Sequence, residues 1–198
     1  TFYSKSSMHS GDKICQRLQD EDGLDGGYLY FRTFLSQLIL PAGLEMEGFF
    51  RDSRQGRRYY GAVFSKESWH PEEMIESDGK SILDPDRVFN IHFEPQFNVL
   101  NGLFSIFLHY ETNPYETATW ASNNIPNAQY NAYLKRRSRF TELLAKTSMK
   151  GWVFGGGTNQ IAKVKLDFQE YSSKYAKNMI EKIIYETSKS IDHALNRL

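Results

Sequence analysis

Between residues 88 and 111 the chain alternates almost residue by residue between large apolar and polar side chains, with Asn101-Gly102 near the middle. Alternation at period two marks a strand with one buried face, and Asn-Gly is the strongest short-range signal for a two-residue hairpin turn. Folded there, Phe89, Ile91, Phe93, Phe97 and Val99 share a face with Phe104, Ile106, Leu108 and Tyr110. The other face carries Asn90, His92, Glu94, Gln96, Ser105, His109 and Glu111, together with Phe107. A slip of one residue would scramble both faces. The two-residue turn also sets the partners, placing Pro95 opposite Leu108 at a non-hydrogen-bonded pair. A proline there demands that its strand be an edge, or bulged, on the other side.

The same register has a chemical consequence. His92 falls opposite Glu111 and Glu94 opposite His109, with Cβ atoms of facing residues ~4.5–5.5 Å apart. Two imidazoles and two carboxylates on one polar face are the donor set of a divalent metal site, suited to Zn, Mn or Fe, or to Mg if the carboxylates dominate. Such a site can activate water for hydrolysis. The candidate metal ligands are therefore His92, Glu94, His109 and Glu111, and the candidate catalytic residues Glu94, His109 and Glu111. The alternative is two solvent-facing His–Glu pairs, each contributing a few tenths of a kcal/mol.

The remaining pattern predicts an α+β domain with an antiparallel-rich or mixed sheet built from hairpins. Apolar residues at helical spacing predict helices over residues 28–40 and 127–147. A long amphipathic helix follows, with Tyr171, Tyr175, Ile180, Ile183, Ile184, Thr187, Ile191, Leu195 and Leu198 along about seven turns. It is long enough to cover the sheet or to pair with a copy of itself. Residues 11–19 suit a short helix, stopped by the turn chemistry of residues 20–27. Strands are expected at 44–51 and 57–64 around a loop at 52–56, and at 150–154 and 160–168 across Gly155-Gly156-Gly157. Those glycines lack the Lys-Ser/Thr ending of a phosphate loop. Residues 65–86 read as a surface excursion. Trp69, Trp120 and Trp152 read as packing residues. No repeat or linker divides the 198 residues, so one domain is expected.

Lys plus Arg balance Asp plus Glu at 24 each, which argues against bulk electrostatic attraction to nucleic acid or membrane. Local basic clusters remain. Arg51, Arg54, Arg57 and Arg58 surround the first hairpin loop beside Tyr59 and Tyr60; Lys135, Arg136, Arg137 and Arg139 lie on the middle helix; Lys163 and Lys165 alternate on a late strand. Arginine with interleaved tyrosine can hold phosphate and stack on bases. The alternative is a solvated, mixed-charge surface. The single cysteine, Cys15, rules out an internal disulfide or a cysteine metal cluster. No signal-peptide pattern stands at the start and no apolar run approaches the ~20 residues of a membrane span, so a cytoplasmic setting is expected.

The order of elements resembles the α/β core of the PD-(D/E)XK nucleases, in which an acid on one strand neighbours an acid-x-Lys pair on the next. The resemblance implies Glu94 at the first position and His109 with Glu111 at the second pair, with no Lys in the motif. A second candidate, Asp86 with Glu94-Pro95-Gln96, puts proline in the variable position. Two functions follow as expectations. The first is a nucleic-acid-acting protein, a metal-dependent nuclease using Mg, Mn or Zn, with the Arg-rich hairpin and helix holding phosphates. The second is a non-catalytic interaction module, of inhibitor or immunity type or a dimerising subunit, with the acidic residues 20–25 as a contact surface and homodimerisation through the last helix.

Overall fold

The computed structural model describes residues 25–54, 57–69, 91–98, 102–110, 127–147, 149–156, 159–166 and 173–198. Along the chain these form α1 (Asp25–Ser36), β1 (Glu45–Arg54), β2 (Arg57–Ser65), a single 3-10 turn (Glu67–Trp69), β3 (Ile91–Asn98) and β4 (Leu103–Tyr110). Then come α2 (Asn127–Ala145), β5 (Val153–Phe154), β6 (Gln160–Leu166) and α3 (Ser173–Leu195). The six strands make one sheet in the order β1-β2-β3-β4-β6-β5, and every described pairing is antiparallel. The fold is thus α+β, as the alternation predicts. The expected short helix at 11–19, Trp120, the acidic residues 20–24 and most of the excursion at 65–86 lie outside the described residues.

Pleat parity sorts the sheet into two faces. One face carries Tyr60, Ala62 and Phe64 of β2, Ile91, Phe93 and Phe97 of β3, Phe104, Ile106, Leu108 and Tyr110 of β4, and Ala162, Val164 and Leu166 of β6, all buried. The helices pack here. Phe31 of α1 lies with its ring centroid 6.1 Å from Tyr60 and 6.2 Å from Phe104. Phe140 of α2 meets Tyr110 edge-on at 5.4 Å. Trp69 and Trp152 approach Phe93 at 5.6 and 6.3 Å, so both are packing residues. In α3, Ile180, Ile184 and Ile191 are fully buried in the same core, and Ile183 packs against its margin. The spacing of these residues is that of one helical face. On the opposite sheet face the Phe50 ring lies across Gly61, and a Cβ there would force that ring to move.

Three local expectations are corrected. The β3–β4 ladder runs Ile91↔Tyr110 through Asn98↔Leu103, two residues away from the register of a two-residue Asn-Gly turn. The described ladder ends at Asn98↔Leu103, and Gly102, just before β4, takes φ 65°. A shift of two preserves parity, so the faces are as expected while the facing partners change: Pro95 meets Ile106, not Leu108. Pro95 also lies in an interior strand. Its lost donor is accommodated by a break in the β2–β3 ladder between Gly61↔Gln96 and Phe64↔Phe93, which resumes in the same register. In the first hairpin Asp52, Ser53 and Arg54 are strand residues, with the ladder paired as far as Arg54↔Arg57.

The last helix is locked to the sheet by one carboxylate. Asp192 accepts a hydrogen bond from the indole Nε1 of the buried Trp69 and an ion-paired one from Lys66 Nζ, both at 2.7 Å. The Lys66 ammonium also sits over the Trp69 ring at 5.3 Å. Nearer the start of α3, Glu181 accepts the backbone N–H of Ile39 at 2.7 Å, tying down the exit from α1. Removing the Asp192 acceptor strands a buried indole N–H. Asp192→Ala is therefore expected to cost about 1–3 kcal/mol. Trp69→Phe, which deletes the donor, should cost less in the Asp192→Ala background than alone; urea unfolding of the four proteins of the cycle measures both effects.

A candidate metal centre on the polar face of the sheet

The opposite face of the sheet is a grid of polar side chains set by strand pairing. One row runs Ser65, His92, His109, Gln160; the adjacent row runs Glu94, Phe107, Lys163, Val153; the third runs Gly61, Gln96, Ser105, Lys165. His92 therefore faces His109, and Glu94 faces Phe107, in place of the expected His92–Glu111 and Glu94–His109 pairs. Glu111 lies outside the described residues. The Glu94–His109 contact survives as a diagonal, within reach of long side chains.

His92, Glu94 and His109 each offer a ligand atom, and the three atoms lie within 4.8 Å of one another. Glu94 Oε1 is 3.3 Å from His92 Nε2 and 3.6 Å from His109 Nδ1. A tetrahedral ion with ligands at ~2.0–2.1 Å has ligand atoms about 3.3–3.4 Å apart, so these two separations need little adjustment. The imidazoles meet edge to face with centroids 5.1 Å apart. The other carboxylate oxygen, Oε2, accepts a 2.7 Å hydrogen bond from Gln96 Nε2, which fixes the orientation of Glu94. Two residues of the β3 polar face supply the acid and one imidazole; β4 supplies the second. Beside His109 the β4–β6 register shifts between Leu108↔Ala162 and His109↔Gln160. An irregularity of this kind re-aims side chains near the break.

Exposure is graded across the face. The His92 side chain is 0% exposed, Glu94 12% and His109 16%. Phe107 and Lys163 are half-buried, Lys165 is exposed, and Val153 is 61% exposed. The centre is closed on its β2 side and open toward β6 and β5.

Burial is the largest single influence on the Glu94 carboxyl and pushes its pKa up. The hydrogen bond from His92, the charges of His109 and His92, and the Gln96 amide together outweigh it and bring the pKa down to about 2 from 4.5. A carboxyl depressed in the folded state contributes stability above its ordinary range that is lost as the pH falls through the folded value. The metal-free protein should therefore lose stability as the pH drops from about 4.5 toward 2. Glu94→Gln should remove that portion of the acid limb, read by urea unfolding at stepped pH.

Of the expected phosphate-binding residues, only some have described side chains. Arg57 stands at the opposite end of β2 from Ser65, eight residues or roughly 26 Å of strand away. The side chains of Arg54, Arg57 and Arg58 lie outside the described residues. Arg51 lies on the helix side of the sheet, its guanidinium 5.1 Å over the Tyr28 ring. On α2, Lys135 is exposed, Arg136 is half-buried, and Arg139 pairs with Glu142 at 3.5 Å. Arg137 reaches toward the site, donating at 3.5 Å to the carbonyl of Gln160, the residue paired with His109. Gln96 was missed as a site member; its signal was only its parity on the polar face. Among the described residues, no helix is long and apolar enough to cross a membrane. No protein-family model, curated protein or solved structure matches this chain.

Proposed function

We propose that the chain is a metal-dependent hydrolase of phosphodiesters, acting on nucleic acid through a two-histidine, one-carboxylate centre formed by His92, Glu94 and His109. The observation that carries this reading is the convergence of the three ligand atoms within 4.8 Å at the border between the buried and open parts of one sheet face. An imidazole majority suits Zn or Mn better than Mg, which prefers oxygen ligands. Three protein ligands with a further position open is the pattern of catalytic rather than structural zinc. His92 and His109 would bind as neutral imidazoles and Glu94 as the anionic ligand, with Gln96 holding its second oxygen. A divalent ion there supplies Lewis acidity and lowers the pKa of a bound water toward neutrality.

One observation favours a second reading, a non-catalytic interaction module. Glu94 is already hydrogen-bonded by Gln96 and contacted by both imidazoles. This network ties β3 to β4 without an ion.

The two readings separate on metal affinity. The metal-centre reading expects one equivalent of Zn²⁺ or Mn²⁺ by calorimetry, tighter as the pH rises because imidazole protons compete with the ion. Glu94→Gln and His109→Ala should each lose that binding and all hydrolysis of an oligonucleotide or an aryl phosphodiester while remaining folded. Their combination should be no worse than either alone, since residues acting as a unit are not additive. Absence of stoichiometric metal in the wild type, by mass spectrometry and by titration, would leave the interaction module as the surviving reading.

A further inference from the structure

The open end of the polar face carries a second constellation that the metal centre does not use. Phe107 stands directly between Glu94 on β3 and Lys163 on β6 in one cross-strand row. It is half-buried, and its ring meets His109 at 6.1 Å with an interplanar angle of 65°, the edge-to-face arrangement. Lys163 is its direct partner, and Lys165 lies one pleat further along the same face, opposite Ser105. Two residues along a strand separate side chains by about 6.7 Å, comparable to the spacing of successive phosphates on an extended strand. Beyond Lys163 the face ends at Val153 on the two-residue strand β5, 61% exposed. No acidic residue stands in the rows from Phe107 to Val153 or from Ser105 to Lys165.

We infer that this part of the sheet binds single-stranded nucleic acid, with a base stacked on Phe107 and neighbouring phosphates held by Lys163 and Lys165. An aromatic ring beside a cationic track is what an unpaired strand recognises, because every base has a π-face and stacking tolerates any sequence. A duplex hides those faces, and a chain with no net charge lacks the field to hold it by phosphates alone. The site adjoins the metal centre on the side where exposure increases, so a strand stacked on Phe107 runs its backbone past His109 and Glu94. That catalytic consequence rests on the metal-centre reading; the binding itself does not.

The test is fluorescence anisotropy with short labelled oligo-dT and oligo-U in EDTA, with a hairpin duplex as the third probe. The wild type is expected to bind both single strands and to bind the duplex more weakly. Two phosphate contacts predict a log–log salt slope of about −1.4 for a single strand, and Lys163→Gln with Lys165→Gln should flatten it by about that amount. Phe107→Ala should weaken binding by about 5- to 150-fold. Phe107→Leu, which keeps an apolar side chain in the sheet, should also lose affinity, and Phe107→Trp should retain it. No single-strand binding by the wild type, equal affinity for duplex, or unchanged affinity in both Phe107→Leu and the double lysine variant would overturn the inference. Zn²⁺ titration of the same variants distinguishes the two proposals. They should keep the metal, and Glu94→Gln should lose the metal while still binding oligo-dT.

Discussion

Pleat parity in the central β3–β4 pair is the constraint from which the rest of this structure follows. Every odd residue of β3 from Ile91 to Phe97 and every even residue of β4 from Phe104 to Tyr110 is driven to the helix side, where water is excluded. The ionisable residues between them have only the other side to occupy. A catalytic or polar cluster on that side needs no separate device to assemble it, since burying one face concentrates the polar residues on the other. The helices then complete the dry layer, and the break opposite Pro95 is tolerated because the ladder resumes in register on either side of it.

The same parity explains how much could be read from the residues. Face membership depends only on odd or even position, so His92, Glu94, Gln96 and His109 were assignable to one face before any partner was known. Register within that parity depends on the connection. Asn101-Gly102 signals a two-residue turn, yet the described ladder ends at Asn98↔Leu103, two residues from that register, with Gly102 in the left-handed region. Both choices sort the faces identically, so alternation could not choose between them. The neighbours of β4 were less legible still. β6 lies beside it and β5 outside, an order set by long-range packing of Ala162, Val164 and Leu166 against the core. Lys163 and Lys165 showed their period of two in the sequence, but not that it faces Phe107 and Ser105.

If an ion binds as proposed, His92 and His109 would have to offer neutral imidazoles, so its uptake would release any proton they carry. Without an ion, the Glu94 carboxylate is held by its contacts with both imidazoles and by Gln96, which donates to the oxygen that faces neither of them.

The bond from Trp69 to Asp192 has a consequence for the order of events at the ribosome. The indole belongs to the first half of the fold, and its acceptor lies 123 residues later, near the end of α3. Until that segment has emerged, the indole N–H lacks its carboxylate partner and the apolar side of the sheet lacks the cover of Ile180, Ile184 and Ile191. The hairpins β1–β2 and β3–β4 and the helices α1 and α2 precede that segment, so the apolar side of the sheet gains its last cover only when α3 docks.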